Sequence, residues 1–125
     1  MSLQNIHTAM GSLAYAVAKA DGKVQDEERA ILIKLAQEEF DLHSDADYEW
    51  IANMFKRLEE NKISLEEAYN FAIDTLEANR HDYDFTESMK KKCITFMERV
   101  SEAFGGISLE EQSVIEKFKK DLTKF

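Results

Sequence analysis

Apolar residues recur at every third or fourth position along nearly the whole chain, and no segment alternates with a period of two. This spacing gathers apolar side chains on one face of an α-helix. It predicts six helices, at residues 4–20, 26–41, 45–60, 65–79, 85–104 and 109–122. The chain has no proline and only four glycines, so little interrupts these helices. We therefore expect an all-α fold, a compact bundle of about six helices built from helical hairpins, in a single domain spanning residues 1–125.

The predicted helices differ in how much of their surface is apolar. The second helix has the widest apolar face and is expected to be the most buried. Gly11 allows another helix to approach the first one closely. Cys93 lies on the apolar stripe of the fifth helix and is expected to be a small buried side chain rather than a nucleophile. The connections are short, so consecutive helices are expected to pack as neighbours.

Polar residues mark several of the helix starts. A serine or threonine followed three positions later by a carboxylate can satisfy unpaired amide groups at a helix N-terminus. Ser64 with Glu67 and Ser108 with Glu111 have this pattern. Asp84 with Glu87 is a looser version at the predicted start of the fifth helix.

A short acidic phrase occurs at three helix junctions. Its clearest copy runs from Ala20 to Glu28, and weaker copies follow 39 residues later, at 60–67, and 83 residues later, at 104–111. Each copy ends one helix, supplies an apolar residue and begins the next helix with acidic residues. The copies match at the junctions alone, which favours a bundle over a solenoid.

The carboxylates of this phrase are the candidate ligands of the chain. Acidic residues in the first turn of a helix are stabilised by the helix dipole, which accounts for most of them. Asp21 is different, because it falls at the end of the first helix, where the dipole disfavours an acid. Three interactions would each offset this unfavourable charge of Asp21: a salt bridge, hydrogen bonds from the amides of the next helix, or a bound cation that also recruits Glu28. An EF-hand is a poor fit, because Val17 and Lys19 would occupy two of the ligand positions.

Two further acidic clusters contain histidine, at residues 41–47 and 81–84. Both have the composition of loops with helix caps. Zinc or iron would prefer nitrogen or sulfur ligands at helical spacing, and the sequence has no His-x-x-His, Glu-x-x-His or paired cysteines. There is also no nucleophile elbow or phosphate-binding glycine loop. We expect a protein that is not an enzyme.

The charge of the chain limits its partners. It has 25 acidic and 16 basic residues, a formal net charge of −9. Such a chain repels the phosphates of nucleic acids and anionic lipid surfaces. The basic run Lys90–Lys92 is expected to be a solvated helix face. With no basic leader, no long apolar segment and one cysteine, the chain is expected to be cytoplasmic, without membrane insertion.

The clearest copy of the phrase resembles the TerB family, which includes tellurite-resistance proteins and the related N-terminal domain of the co-chaperone DjlA. The matching residues are Ala20, Asp21, Gly22, Val24 and Glu28. The copy at 103–111 keeps Ala103, Gly105, Ile107 and Glu111, but has Phe104 where the family usually has Asp.

The resemblance implies a helical bundle in the bacterial cytoplasm, with a role in tellurite resistance or another stress response. It also implies that acidic residues bind a divalent cation or dock a protein partner, with Asp21, Glu28 and Glu111 as the candidate metal ligands. Two alternatives stay open. The acids can be purely structural in a helical interaction domain, or they can serve a small metal-dependent enzyme.

Overall fold

The computed structural model describes residues 2–20, 26–40, 45–81, 85–104 and 109–125. These residues form six helices: α1 Ser2–Ala20, α2 Asp26–Glu39, α3 Asp45–Glu60, α4 Leu65–Ala78, α5 Glu87–Ala103 and α6 Leu109–Leu122. No strand occurs in these ranges. The predicted all-α fold of about six helices is confirmed, and the bounds of α3 and α6 are those predicted from the sequence.

Helix α1 is the centre of the fold. It packs mainly on α4 and α3 and also contacts α5 and α6. Every residue from Ala9 to Ala18 is buried, so α1 is enclosed on all sides. The prediction that α2 is the most buried helix is therefore wrong. Residues such as Ala30 on α2 are exposed, and among the described residues α2 packs mainly on α3 and α5.

Close backbone approach joins α1 to α3. A Cβ on Gly11 would lie 2.5 Å from the carbonyl oxygen of Ile51, much closer than atoms in contact allow. Gly11 therefore sets the separation of the two helices, as the sequence suggested. Two hydrogen bonds then fix α1 to the start of α4. Ser12 Oγ donates to the Ala68 carbonyl at 2.6 Å, and the Tyr15 hydroxyl donates to the Ile63 carbonyl at 2.7 Å.

The turn between α3 and α4 sets the direction in which α4 begins. Lys62 has a φ of 51°, in the left-handed region. The Ile63 amide donates to the Leu58 carbonyl at 3.1 Å, the bond that ends a helix after a left-handed residue. Ser64 then caps α4 and accepts from the Glu67 amide at 3.1 Å, as predicted.

Helix α5 begins later than predicted. Its N-cap is Thr86, which accepts from the Met89 amide at 3.1 Å, whereas the predicted cap Asp84 lies outside the described residues. Phe85 still packs in the core, just ahead of the helix. The expected burial of Cys93 is confirmed. Of the lysine run, Lys91 is exposed as expected, but the Lys90 side chain is only 12% exposed and donates to the Phe125 carbonyl at 2.8 Å.

Helices α2 and α5 are joined by rings and charges. Phe40 contacts Phe96 at 5.2 Å between ring centroids, and His7 of α1 contacts Phe40 at 5.5 Å. At the surface Arg99 pairs with Glu38 at 2.6 Å and with Glu39 at 3.3 Å. The second half of the bundle is thereby attached to the first by both core and surface contacts.

Candidate binding surface at the acidic helix starts

Two pairs of helices share one register. Helix α1 ends at Ala20 and α2 begins at Asp26, while α5 ends at Ala103 and α6 begins at Leu109. Both the ends and the starts are 83 residues apart, the spacing of the first and third copies of the acidic phrase. The structure therefore places these copies at matching junctions, each just before a helix with an acidic first turn.

The predicted ligands Glu28 and Glu111 are both buried. They occupy matching positions in α2 and α6, where Glu28 is 7% exposed and Glu111 is 0% exposed. Ser101 Oγ donates a 2.8 Å hydrogen bond to Oε2 of Glu111, between two buried side chains. The third predicted ligand, Asp21, lies outside the described residues, as does Ser108, the predicted cap of α6.

The structure does not assemble these acids into a metal centre within its described part. No group of three or more His, Cys, Asp or Glu side chains that could hold a metal ion occurs among the described residues. His81 is described and exposed, whereas Asp41 to Ser44 and residues 82–84 lie outside the described ranges. The metal assignment of Asp21, Glu28 and Glu111 therefore stays a prediction.

A surface cleft lies beside the buried Glu111. It has a volume of about 180 Å³ between α5 and α6, and Ser101 lines it together with Glu98, Glu116 and Lys119. The Lys119 ammonium lies 3.3 Å from Glu98 and 3.8 Å from Glu116. A side-chain cation thus already partly balances these surface acids.

The second and third copies of the phrase meet at one groove. Glu66 of α4 and Glu110 of α6 hold the same position in their copies, and both line a groove of about 500 Å³ between the two helices. Both carboxylates are exposed. The groove exists because α4 and α6 each pack on α1 but make few direct contacts with one another in the described residues. Its remaining lining residues are Leu65, Tyr69, Asn70, Ser113, Val114 and Lys117.

Tyr69 closes one end of this groove. Its hydroxyl donates to Asp121 at 2.6 Å, and the Lys117 ammonium lies 4.4 Å from the centre of its ring. Burial raises the pKa of Tyr69 well above its ordinary value, and the hydrogen bond to Asp121 and the charge of that carboxylate raise it further. The phenol therefore stays neutral and donating over the whole physiological range.

Sequence reasoning marked the acids of the groove but missed its walls. Glu66 and Glu110 belong to the repeated phrase, so their shared position was visible in the sequence. The lining residues Tyr69 and Lys117, and Asp121 that accepts from Tyr69, carry no such signal, because each looks like an ordinary residue of an amphipathic helix. Only the packing of α4 and α6 on α1 brings them together.

The comparisons with known proteins identify the family. The family model described as "Tellurite resistance protein TerB" matches residues 7–123. This chain belongs to the TerB family. The resemblance seen in Ala20, Asp21, Gly22, Val24 and Glu28 is thereby confirmed, and TerB domains form a family of non-catalytic helical domains. No curated protein and no solved structure matches the chain. None of the described helices is long and apolar enough to cross a membrane.

Proposed function

We propose that this TerB-family chain is a non-catalytic module that works by binding, and that its acidic helix starts are the binding elements. The observation that carries the proposal is the meeting of Glu66 and Glu110 at one groove. Two copies of one sequence phrase lie far apart along the chain, and each contributes the glutamate at the same position of the phrase to one groove. A protein partner with a basic surface suits this arrangement, since the chain carries a net charge of −9.

A divalent cation is the second candidate ligand, and the buried acids Glu28 and Glu111 favour it. Both acids are buried at matching helix starts. Helix capping does not require this burial, because a capping acid can stay exposed, as Glu67 does. Calcium and magnesium take oxygen ligands, which Asp21, Glu28 and Glu111 would supply.

Thermal unfolding of metal-stripped protein, with and without calcium, magnesium, manganese or zinc, tests the cation. A site filled at 100 times its Kd adds about 2.7 kcal/mol, which raises the Tm by several degrees in a domain of this size. We expect a rise with one metal that is lost in Asp21→Asn, Glu28→Gln or Glu111→Gln. Glu27→Gln is the matched control, because Glu27 is exposed beside Glu28 in the same helix turn.

The outcomes separate the proposals. No rise with any metal would exclude a specific cation site and leave protein docking as the binding function. A rise that survives all three substitutions would place the cation away from the acidic phrase. A metal-dependent hydrolase would require turnover in the metal-loaded protein. A small loss of stability in the acid variants, with binding unchanged, would instead support a purely structural role.

We further propose that the chain acts in the bacterial cytoplasm, in tellurite resistance or another stress response. The support is the description of its family and the buried, unpaired Cys93 thiol, which suits a reducing compartment. Expression of the chain in a tellurite-sensitive bacterial strain should raise tolerance to tellurite. The Glu66→Gln and Glu110→Gln double variant should lose that gain, and equal growth with and without the wild-type chain would contradict the role.

A further inference from the structure

The α4–α6 groove, defined by the lining residues given above, has a form that selects its partner. We propose that it docks a short, basic, amphipathic helix of a protein partner, with an apolar side chain against Leu65 and a lysine or arginine between Glu66 and Glu110. This inference rests on the proposed binding function and names the occupant of the groove.

The floor of the groove is apolar. Leu65 is half-buried at the start of α4, and Tyr69 and Val114 are 3% and 6% exposed. Leu65 and Tyr69 line the groove from α4, and Val114 lines it from α6. An apolar side chain of a partner would remove this surface from water, which favours binding.

The rim of the groove is acidic. Glu66 and Glu110 are exposed, and within the described residues no ion pair or side-chain hydrogen bond of either carboxylate is present. The one basic residue of the lining, Lys117, lies over the ring of Tyr69. The rim is thus open to a cation from outside, which a lysine or arginine of the partner would supply.

The length of the groove suits a helix of a few turns. It runs along α6 from Glu110 to Lys117, about 10 Å at the rise of an α-helix, and the bond between Tyr69 and Asp121 ends it. In a partner helix, residues three or four apart lie on one face. One apolar residue and one basic residue at that spacing would reach the floor and the rim together.

Charge argues against the other occupants. A second copy of this chain would bring another net charge of −9 against the acidic rim. The phosphates of a nucleic acid or an anionic membrane would be repelled in the same way. A basic protein segment is the occupant that both the rim and the whole molecule attract.

A synthetic helical peptide tests the proposal. The probe has a stripe of leucines on one face and lysines elsewhere, and its control carries glutamates in place of the lysines. Binding is measured by calorimetry and by changes in the amide NMR spectrum of the full chain. We expect the lysine peptide to shift signals in the first halves of α4 and α6, and the glutamate peptide to leave the spectrum unchanged.

Variants then locate the site. The double variant Glu66→Gln with Glu110→Gln should weaken the lysine peptide about fivefold, because it removes two exposed ion pairs. The double variant Glu27→Gln with Glu49→Gln is the matched control, since it removes equal charge from exposed helix positions on α2 and α3. It should change the affinity by less than about twofold. Ser113→Trp, at an exposed lining position, should fill the groove and block binding.

Three results would overturn the proposal. Equal weakening by both double variants would show general attraction to an acidic protein, and absence of binding would exclude the basic helix as occupant. Unchanged binding in Ser113→Trp would place the peptide elsewhere. If a metal raises the Tm but the peptide does not bind, the proposed binding function stands and only this occupant is rejected. If no metal raises the Tm and the peptide does not bind, both the proposed binding function and this occupant are rejected.

Discussion

The hydroxyl of Tyr69 donates a 2.6 Å hydrogen bond to the carboxylate of Asp121, and this bond joins the beginning of α4 to the end of α6. The two helices make few other direct contacts in the described residues. Tyr69 therefore has two roles at one place. Its hydroxyl ties the walls of the groove together, while its ring forms part of the floor.

Removing this hydroxyl should loosen the groove more than the core. We expect Tyr69→Phe to lower the free energy of unfolding by about 1 kcal/mol, the usual net value of one hydrogen bond. Urea unfolding at neutral pH measures the loss. Amide hydrogen exchange should rise at the end of α6, near Asp121, and exchange that rises equally across all six helices would contradict a local role.

The same bond predicts a change of stability with pH. Burial and Asp121 raise the pKa of Tyr69 in the folded state, so the fold favours the neutral phenol. This contribution is complete below the unfolded-state pKa of about 10 and is lost as the pH rises toward the folded-state value. The wild type should therefore lose its advantage over Tyr69→Phe above about pH 10.

Urea midpoints between neutral and strongly alkaline pH measure that advantage. Tyr15, whose pKa is raised by burial and then by Glu59, remains in both proteins, so the difference between the two isolates Tyr69. Parallel curves for the two proteins would contradict the assignment.

The sequence predicted the helices well because their signals are local. Helices α3 and α6 begin and end where the apolar spacing and acidic first turns placed them. The start of α5 was misplaced because Asp84 and Thr86 are both residue types that cap helices, and the structure has Thr86 as the cap, accepting from the Met89 amide. Local pattern could not decide between two such neighbours.

The central position of α1 and the groove were not predictable, because both depend on packing between distant segments. Small residues of α1 such as Ala14, Ala16 and Ala18 are fully buried, so neighbouring helices cover α1 on all sides. These alanines add little to a count of large apolar side chains. The acids at Glu66 and Glu110 were marked by the repeated phrase. That they share one groove follows only from how α4 and α6 lie on α1.

The hydrogen bond between Ser101 and Glu111 should matter for stability. Ser101→Ala removes the donor to a fully buried carboxylate, and we expect a loss of about 1–3 kcal/mol in the free energy of unfolding. Ser113→Ala, on the exposed side of α6, is the control and should change it by less than about 0.5 kcal/mol. A loss in Ser101→Ala no larger than in the control would mean that Glu111 does not depend on this bond.

The left-handed turn at Lys62 offers a stabilising substitution. Glycine adopts a positive φ without the steric cost that a lysine side chain incurs. Lys62→Gly should therefore raise the free energy of unfolding by about 0.5–1 kcal/mol, measured by urea unfolding. Lys56→Gly, at a position in α3 that is also exposed, should lower it, because glycine destabilises a helix interior. A lower free energy of unfolding in both variants would show that the positive φ of Lys62 does not reduce the stability of the fold.

The approach of Gly11 to Ile51 predicts that even a methyl group at position 11 destabilises the fold. Gly11→Ala would place a methyl group 2.5 Å from the Ile51 carbonyl oxygen, and backbone atoms of α3 would have to move. Alanine favours a helix by about 1 kcal/mol over glycine, but overpacking costs about 1–3 kcal/mol, so we expect a net loss of up to about 2 kcal/mol. Urea unfolding measures it against Asn53→Ala, an exposed site on α3. Since α1 holds α3 and α4 together, Gly11→Ala should also weaken peptide binding at the groove, and an unchanged affinity would show that the groove is independent of the spacing between α1 and α3.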